Sequence, residues 1–185
     1  TQTVTAGGGA TWSQIHQVLQ PYKRAPRVHQ SSPHFTVGGS LAVNCHGRDP
    51  SQGPLSETVT GIKVLCGDGR VLNASPAENP DLFKAVIGGY GCCGLILEAT
   101  LQTTVNSALK EIWHYWGEPD KYRQNLARLP KRKVTGGLPD TAHLHYGWLC
   151  CVDGSKFLNE VVYSDYVDLV AGNVNTQDDV IASDS

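Results

Sequence analysis

The chain has 185 residues, 15 Lys and Arg against 17 Asp and Glu, a net charge of −2 with neutral histidines, and 40% apolar side chains. That is enough to bury the core of one domain or one and a half, and the near-neutral balance gives no electrostatic reason to expect nucleic acid or an anionic membrane as a partner. No apolar run reaches the roughly 18 residues of a membrane span, and no basic-then-apolar leader opens the chain.

Thr3-Val-Thr5 running into Ala6-Gly-Gly-Gly-Ala10 predicts a strand and a tight turn. Thr11 or Ser13 is suited to cap a helix through about Leu19, because Trp12, Ile15, Val18 and Leu19 fall on one face at helical spacing. Pro21 ends it. Residues 22–34, with Lys23, Arg24, Pro26, Arg27, His29 and Pro33, read as a loop with a solvated basic surface. A β-type run, Phe35-Thr-Val37, then meets Gly38-Gly39 and small residues before a polar turn, Asn44-Cys-His-Gly47, and a second loop over 48–54. Val59–Leu65 and Val71–Ala74 read as a hairpin closed through Gly67-Asp-Gly69, residues that tolerate positive φ. Asn79 is the expected N-cap and Pro80 the first position of a short helix to Ile87 that buries Leu82, Phe83 and Val86 and stops at Gly88. Leu95–Thr103 reads as a strand. From about Asn106 the texture changes, with Trp113, Tyr115, Trp116 and Tyr122 beside charged residues. Alternation returns in Ala142–Leu149, Lys156–Val170 fits a helix or a strand equally, and Asp178–Ser185 reads as a frayed tail.

Two glycine clusters organise the first half: Phe35–Gly47 and Ile87-Gly-Gly-Tyr-Gly-Cys-Cys-Gly-Leu-Ile-Leu97. Glycines at the first junction let the main chain touch a bound group, and amides freed at a helix start are able to cradle an anion such as a pyrophosphate. The second cluster contains Gly89-Tyr-Gly91-Cys-Cys-Gly94, formally a G-x-G-x-x-G, but it follows an expected helix and leads into an expected strand. A dinucleotide fingerprint has the reverse context, so a Rossmann assignment is rejected.

In order along the chain, Phe35–Gly47, Gly61–Leu72, Asn79–Ile87 and the second glycine cluster resemble the FAD-linked oxidase family of the vanillyl-alcohol-oxidase type. The Asn-x-His-Gly form looks most like the branch of decaprenylphosphoryl-ribose oxidase and the sugar and alditol oxidases. The resemblance runs from about Val4 to Thr104 and implies an α+β fold. Residues 1–105 would be a PCMH-type FAD-binding domain lacking its N-terminal part, and residues 106–185 the start of a substrate or cap domain. It implies FAD held largely by main-chain groups, with contacts from Thr36, Val37, Gly38, Gly39, Val43, Asn44, Cys45 and His46 and from the backbone of Ile96. His46 is the candidate catalytic residue: near a flavin it would donate a hydrogen bond to a phosphate or ring heteroatom, or place the substrate hydroxyl. The alternative is a histidine that ties down its own loop. The implied reaction is hydride transfer from an alcohol carbon of a sugar, polyol or related alcohol, with oxygen or a quinone-like compound as the final acceptor. No residue is identified as the base. The contrasting expectation is a non-catalytic fragment or binding protein that keeps half of this fold.

Thr1 opens a chain without methionine, so a fragment of a longer protein is expected. Six cysteines, four of them in the adjacent pairs Cys92-Cys93 and Cys150-Cys151, make a poor disulfide framework and point to reduced thiols and a cytoplasmic setting. No metal is expected. His143 and His145 alternate onto one strand face but lack a third ligand at usual spacing. Val37-Gly-Gly-Ser-Leu41 is not a nucleophile elbow, no G-K-[ST] loop exists, and Lys131-Arg-Lys133 lacks the interleaved aromatics of a nucleic-acid surface.

Overall fold

In the first unit Thr3–Gly7 forms β1, and a turn at Gly8 leads into α1, Trp12–Leu19. Thr11 caps α1 through a capping box: its hydroxyl accepts from Gln14 N, and the Gln14 side chain accepts from Thr11 N. Trp12, Ile15 and Leu19 face inward as expected, whereas Val18 lies 59% exposed. Arg24–Pro26 forms β2, a three-residue strand inside the stretch expected to be loop. Val37–Ala42 forms α2, Val59–Leu65 β3, Val71–Ala74 β4, Pro80–Val86 α3 and Leu95–Val105 β5.

The structure, a computed structural model, describes residues 2–116, 119–126, 144–154, 156–168 and 181–182. The chain divides into two units, residues 1–47 with 52–106 and residues 48–51 with 107–185. In the first, the sheet order is β1-β5-β3-β4, all antiparallel, and β2 pairs with the far end of β5. Ala99 sits opposite both Ala6 and Ile62, so the buried face of β5 packs against its neighbours while α1, α2 and α3 supply the rest of the core. At its centre Trp12 is fully buried with Val37, Leu41, Leu55 and Val64. Its indole N–H donates to Ser40 Oγ at 2.9 Å, and Ser40 donates on to Gln30 Oε1 at 3.2 Å, so the polar edge of the largest core residue is satisfied.

One expectation fails here for a physical reason, and a second holds in position but with a different side-chain partner. Phe35-Thr-Val37 does not end a strand: Thr36 is extended at φ −83° and ψ 154°, accepts from Gly39 N, and starts α2. Asn79 occupies the N-cap position of α3 at φ 48°, but its side chain donates to Asn73 O at 2.7 Å instead of capping the helix. The hairpin β3–β4 closes as expected, with Gly69 at φ 84°.

In the second unit Leu109–Trp116 forms β6, Pro119–Leu126 α4, Leu144–Leu149 β7, Val161–Asp168 β8 and Ile181–Ala182 β9. The sheet order is β7-β8-β6-β9. The stretch that fitted either periodicity is therefore extended over Val161–Asp168. Two residues of the expected tail pair in parallel with His114 and Tyr115, while His143 and Lys131–Lys133 lie outside the described residues. Among the described residues no helix is long and apolar enough to cross a membrane, and all six cysteines are free thiols.

Candidate functional site

The first glycine motif is built on a contact between two backbones. Gly8 N donates to Leu97 O at 2.7 Å, and Gly8 O accepts from Gly38 N at 2.8 Å, so the turn after β1 is pressed between β5 and the start of α2. A Cβ on Gly8 would collide with Ile96 O, and one on Gly38 would lie 2.9 Å from Gly8 O. These two positions need glycine for close approach.

The same contact removes the expected anion cradle. Val37 N donates to Ala10 O, Gly38 N to Gly8 O and Gly39 N to the Thr36 hydroxyl. The first three amides of α2 are thus satisfied within the chain, and a pyrophosphate there would have to break one of these bonds.

At the other end of α2 the second glycine cluster docks onto the motif. Gly88 N donates to Leu41 O and Tyr90 N to Ala42 O, both at 2.9 Å, so the last carbonyls of the helix find donors from residues 88–90. Gly88 adopts φ 76°, and a Cβ there would stand 3.3 Å from Asn44 Cβ. The two clusters that stand out in the sequence are therefore neighbours in space.

The residues singled out divide by what already occupies them. Asn44, at φ 47°, accepts from Ser56 N at 2.9 Å through Oδ1, and Cys45 bonds Ser40 and Leu55 through its main chain. Both hold the loop 54–57 against α2, and burial pushes the Cys45 thiol up. Ile96 is buried, with its carbonyl against Gly8. Thr36 is half-exposed and its hydroxyl caps α2. Gly39, Val43 and His46 are exposed, as are Phe35 at the start of the motif and Tyr90, Leu95 and Leu97 in the second glycine cluster. His46 Nδ1 donates to Gly47 O at 2.7 Å, which places the ring proton on Nδ1 and leaves Nε2 as an acceptor. That geometry fits holding a hydroxyl proton better than donating to a phosphate.

Sequence reasoning missed a chain of polar groups in the second unit. His145 Nδ1 donates to Asp165 Oδ1 at 2.7 Å, and the Tyr122 hydroxyl donates to His145 Nε2 at 3.1 Å. The His145 and Asp165 side chains are 12% and 21% exposed. Burial, then the Asp165 carboxylate, hold the Tyr122 phenol above its usual range. Gly147 makes room for it, because a Cβ there would collide with the phenol oxygen. The alternation through His145 was a visible signal, but its partners lie about twenty residues away on either side, and His145 is engaged by protein groups rather than by a metal set. Among the described residues no three His, Cys, Asp or Glu groups converge to hold a metal.

Residues 1–75 match the family of the FAD binding domain. The chain is 36% identical over 100 residues to cytokinin dehydrogenase 9 of Oryza sativa subsp. japonica, covering 53% of this chain and 19% of that protein. It is 31% identical over 99 residues to the D-arabinono-1,4-lactone oxidase of Candida glabrata, covering 54% and 19%, and 31% identical over 118 residues to the FAD-dependent monooxygenase yanF of Aspergillus niger, covering 60% and 19%. The chain spans about a fifth of the length of these relatives. Gly39 and the apolar side chains of Phe35 and Val43 are exposed within the motif and are compatible with an uncharged group, whereas the α2 amides do not fit a pyrophosphate. Residues 1–75 are thus similar to FAD-binding-domain sequence, and FAD is the cofactor that this match points to.

Proposed function

We propose that the chain is part of an FAD-dependent oxidoreductase that oxidises a hydroxyl-bearing small molecule, a sugar, polyol or related alcohol of the sugar and alditol oxidase branch, and passes the electrons to oxygen or a quinone-like acceptor. In this reading residues 1–105 are an FAD-binding domain without its N-terminal part and residues 106–185 the start of a substrate domain, in a cytoplasmic protein whose thiols stay reduced. The observation that carries it is the Phe35–Gly47 motif, held in shape by the Gly8–Gly38 contact and the second glycine cluster, with His46 Nε2 presented as an acceptor. The lactone oxidase among the relatives supports a sugar-derived substrate.

The bound flavin supplies the hydride acceptor. Residues Thr36, Val37, Gly38 and Gly39, then Val43, Asn44, Cys45 and His46, with the backbone of Ile96, would hold it, the buried Val37 and Ile96 by shaping the motif rather than by contact. Thr36 and Asn44 act by fixing α2 and its following loop, and Gly39 and Val43 by direct contact. His46 accepts a hydrogen bond from the substrate hydroxyl at Nε2 and orients it.

Purified natural protein should be yellow and bleach anaerobically with a sugar lactone or polyol; a colourless protein that binds no added FAD would leave only a non-catalytic binding role. His46→Ala should weaken flavin retention or lower turnover by roughly tenfold to a hundredfold while leaving the melting temperature unchanged, since the side chain is exposed. Unaltered flavin content and rate would remove His46 from the site.

A further inference from the structure

The second unit's sheet has two unlike faces. One carries His145, Gly147, Tyr163 and Asp165, with Tyr122 of α4 against it. On the other, Trp113 of β6 and Tyr146 of β7 stand opposite Ser164 of β8 from either side, so all three share a face. Trp148 lies two residues along β7 on that same face.

This face is aromatic and open. Trp113, Tyr146 and Trp148 are 39%, 37% and 39% exposed, while Ser164 between them is fully covered. The two indoles are nearly parallel, 5.0 Å apart at 14°, and Tyr146 meets Trp148 edge-on at 4.2 Å. The rings thus hold one another in place, which lowers the entropy lost when something settles on them.

A polar group borders the row. The Arg48 guanidinium stacks 4.4 Å above the Tyr146 ring and donates through Nη1 to the Tyr166 hydroxyl at 2.9 Å. Tyr166 donates in turn to Glu111 Oε1 at 2.7 Å. Arg48 Nε is buried and has no partner among the described residues, and a buried donor left unmade is costly. Arg48 and Glu111 carry opposite charges with one phenol between them, so the border is close to neutral. A strongly charged ligand would meet one attractive and one repulsive group. A neutral ligand with several hydroxyls would satisfy both, since a guanidinium donates to hydroxyl oxygens and a carboxylate accepts from hydroxyl protons.

We propose that this face of the sheet binds the neutral, polyhydroxylated part of a sugar or polyol, its C–H side on Tyr146 and Trp148 and its hydroxyls on Arg48 and Glu111. The inference rests on the oxidoreductase reading for the identity of the ligand as substrate, but the binding itself needs no flavin.

The test follows the indole N–H resonances of the 15N-labelled full chain, assigned by single Trp→Phe variants. Xylitol is the probe, adenine the planar, non-hydroxylated comparator, and Trp12, buried in the first unit, the internal reference. Xylitol should move the Trp113 and Trp148 resonances saturably and leave Trp12 in place, and Arg48→Ala should weaken the xylitol midpoint by about tenfold, the loss of one hydrogen bond to a charged group. No shift at Trp113 and Trp148, equal shifts at Trp12, or a response to adenine but not xylitol would overturn the site. Saturable xylitol shifts in a protein that takes up no FAD would uphold the site and sink the catalytic reading. Oxidation of xylitol without those shifts would do the reverse.

Discussion

The two units are held together by different physics. In the first, eighteen buried apolar residues form one cluster around Trp12. In the second, the buried residues among those described are Val161, Tyr163 and Ser164, and order comes from strand pairing, stacked rings and the Tyr122–His145–Asp165 chain. Apolar burial is non-directional and tolerates compensating shifts, whereas a hydrogen-bonded chain depends on each member. A substitution should therefore act through volume in the first unit and through lost partners in the second.

Trp12→Ala should break the contrast most. It removes the central ring and the donor to Ser40 together, and should cost about 3–5 kcal/mol, read as a lowered urea midpoint. A loss below about 1 kcal/mol would mean that the cluster is not the stabilising core. In the second unit Tyr122→Phe keeps the ring and deletes the hydroxyl, leaving His145 Nε2 without its donor. The expected loss is about 1–2 kcal/mol, reported by amide exchange at β7 and β8, with β1–β5 unaffected. Uniform change across both sheets would erase the distinction.

The smallest effect is a pH dependence confined to the first unit. His29 Nδ1 donates to Gln30 O at 2.6 Å, so its Nε2 accepts from His16 Nε2 at 3.3 Å. Burial holds both rings below the ordinary histidine range, and for His16 the neighbouring His29 adds to the effect. A histidine whose folded pKa is depressed binds more protons when unfolded, so stability is complete above the unfolded value of about 6.5 and falls as the pH drops below it. Melting temperature should decline between pH 7 and 5 in the parent chain and decline less in His29→Gln. An identical pH profile in the two would show that the His16–His29 pair does not carry the acid loss.

How much was legible follows the same divide. α1, the β3–β4 hairpin and α3 are local devices, and a capping box, a Gly-Asp-Gly turn and an Asn-Pro start announce them within a few residues. α2 was not assigned as an element because Gly38-Gly39 disfavours a helix locally. What decides it is the fit of Gly38 against Gly8, thirty positions earlier, together with the Thr36 cap. β2 escaped because a three-residue strand with a proline has no periodicity to display. The first glycine cluster stands out in the sequence as a candidate anion cradle, but the first amides of α2 are spent on the fold itself. In the second unit His145 was visible, while Tyr122 and Asp165 become its partners only through strand register and helix placement.

The four residues Arg48–Ser51 belong by packing to the second unit although the sequence on both sides belongs to the first. Arg48 O accepts from His145 N at 2.9 Å, and its side chain reaches Tyr146 and Tyr166. The polypeptide therefore crosses between the units three times. A piece ending at residue 106 would carry a tetrapeptide stripped of its neighbours, and a piece beginning at 107 would lack the arginine that borders its aromatic row. Exchange of the second unit between related proteins, by recombination or by design, would have to carry this short loop with it, and two insertions far apart in the gene would be needed where a single fusion point would otherwise serve.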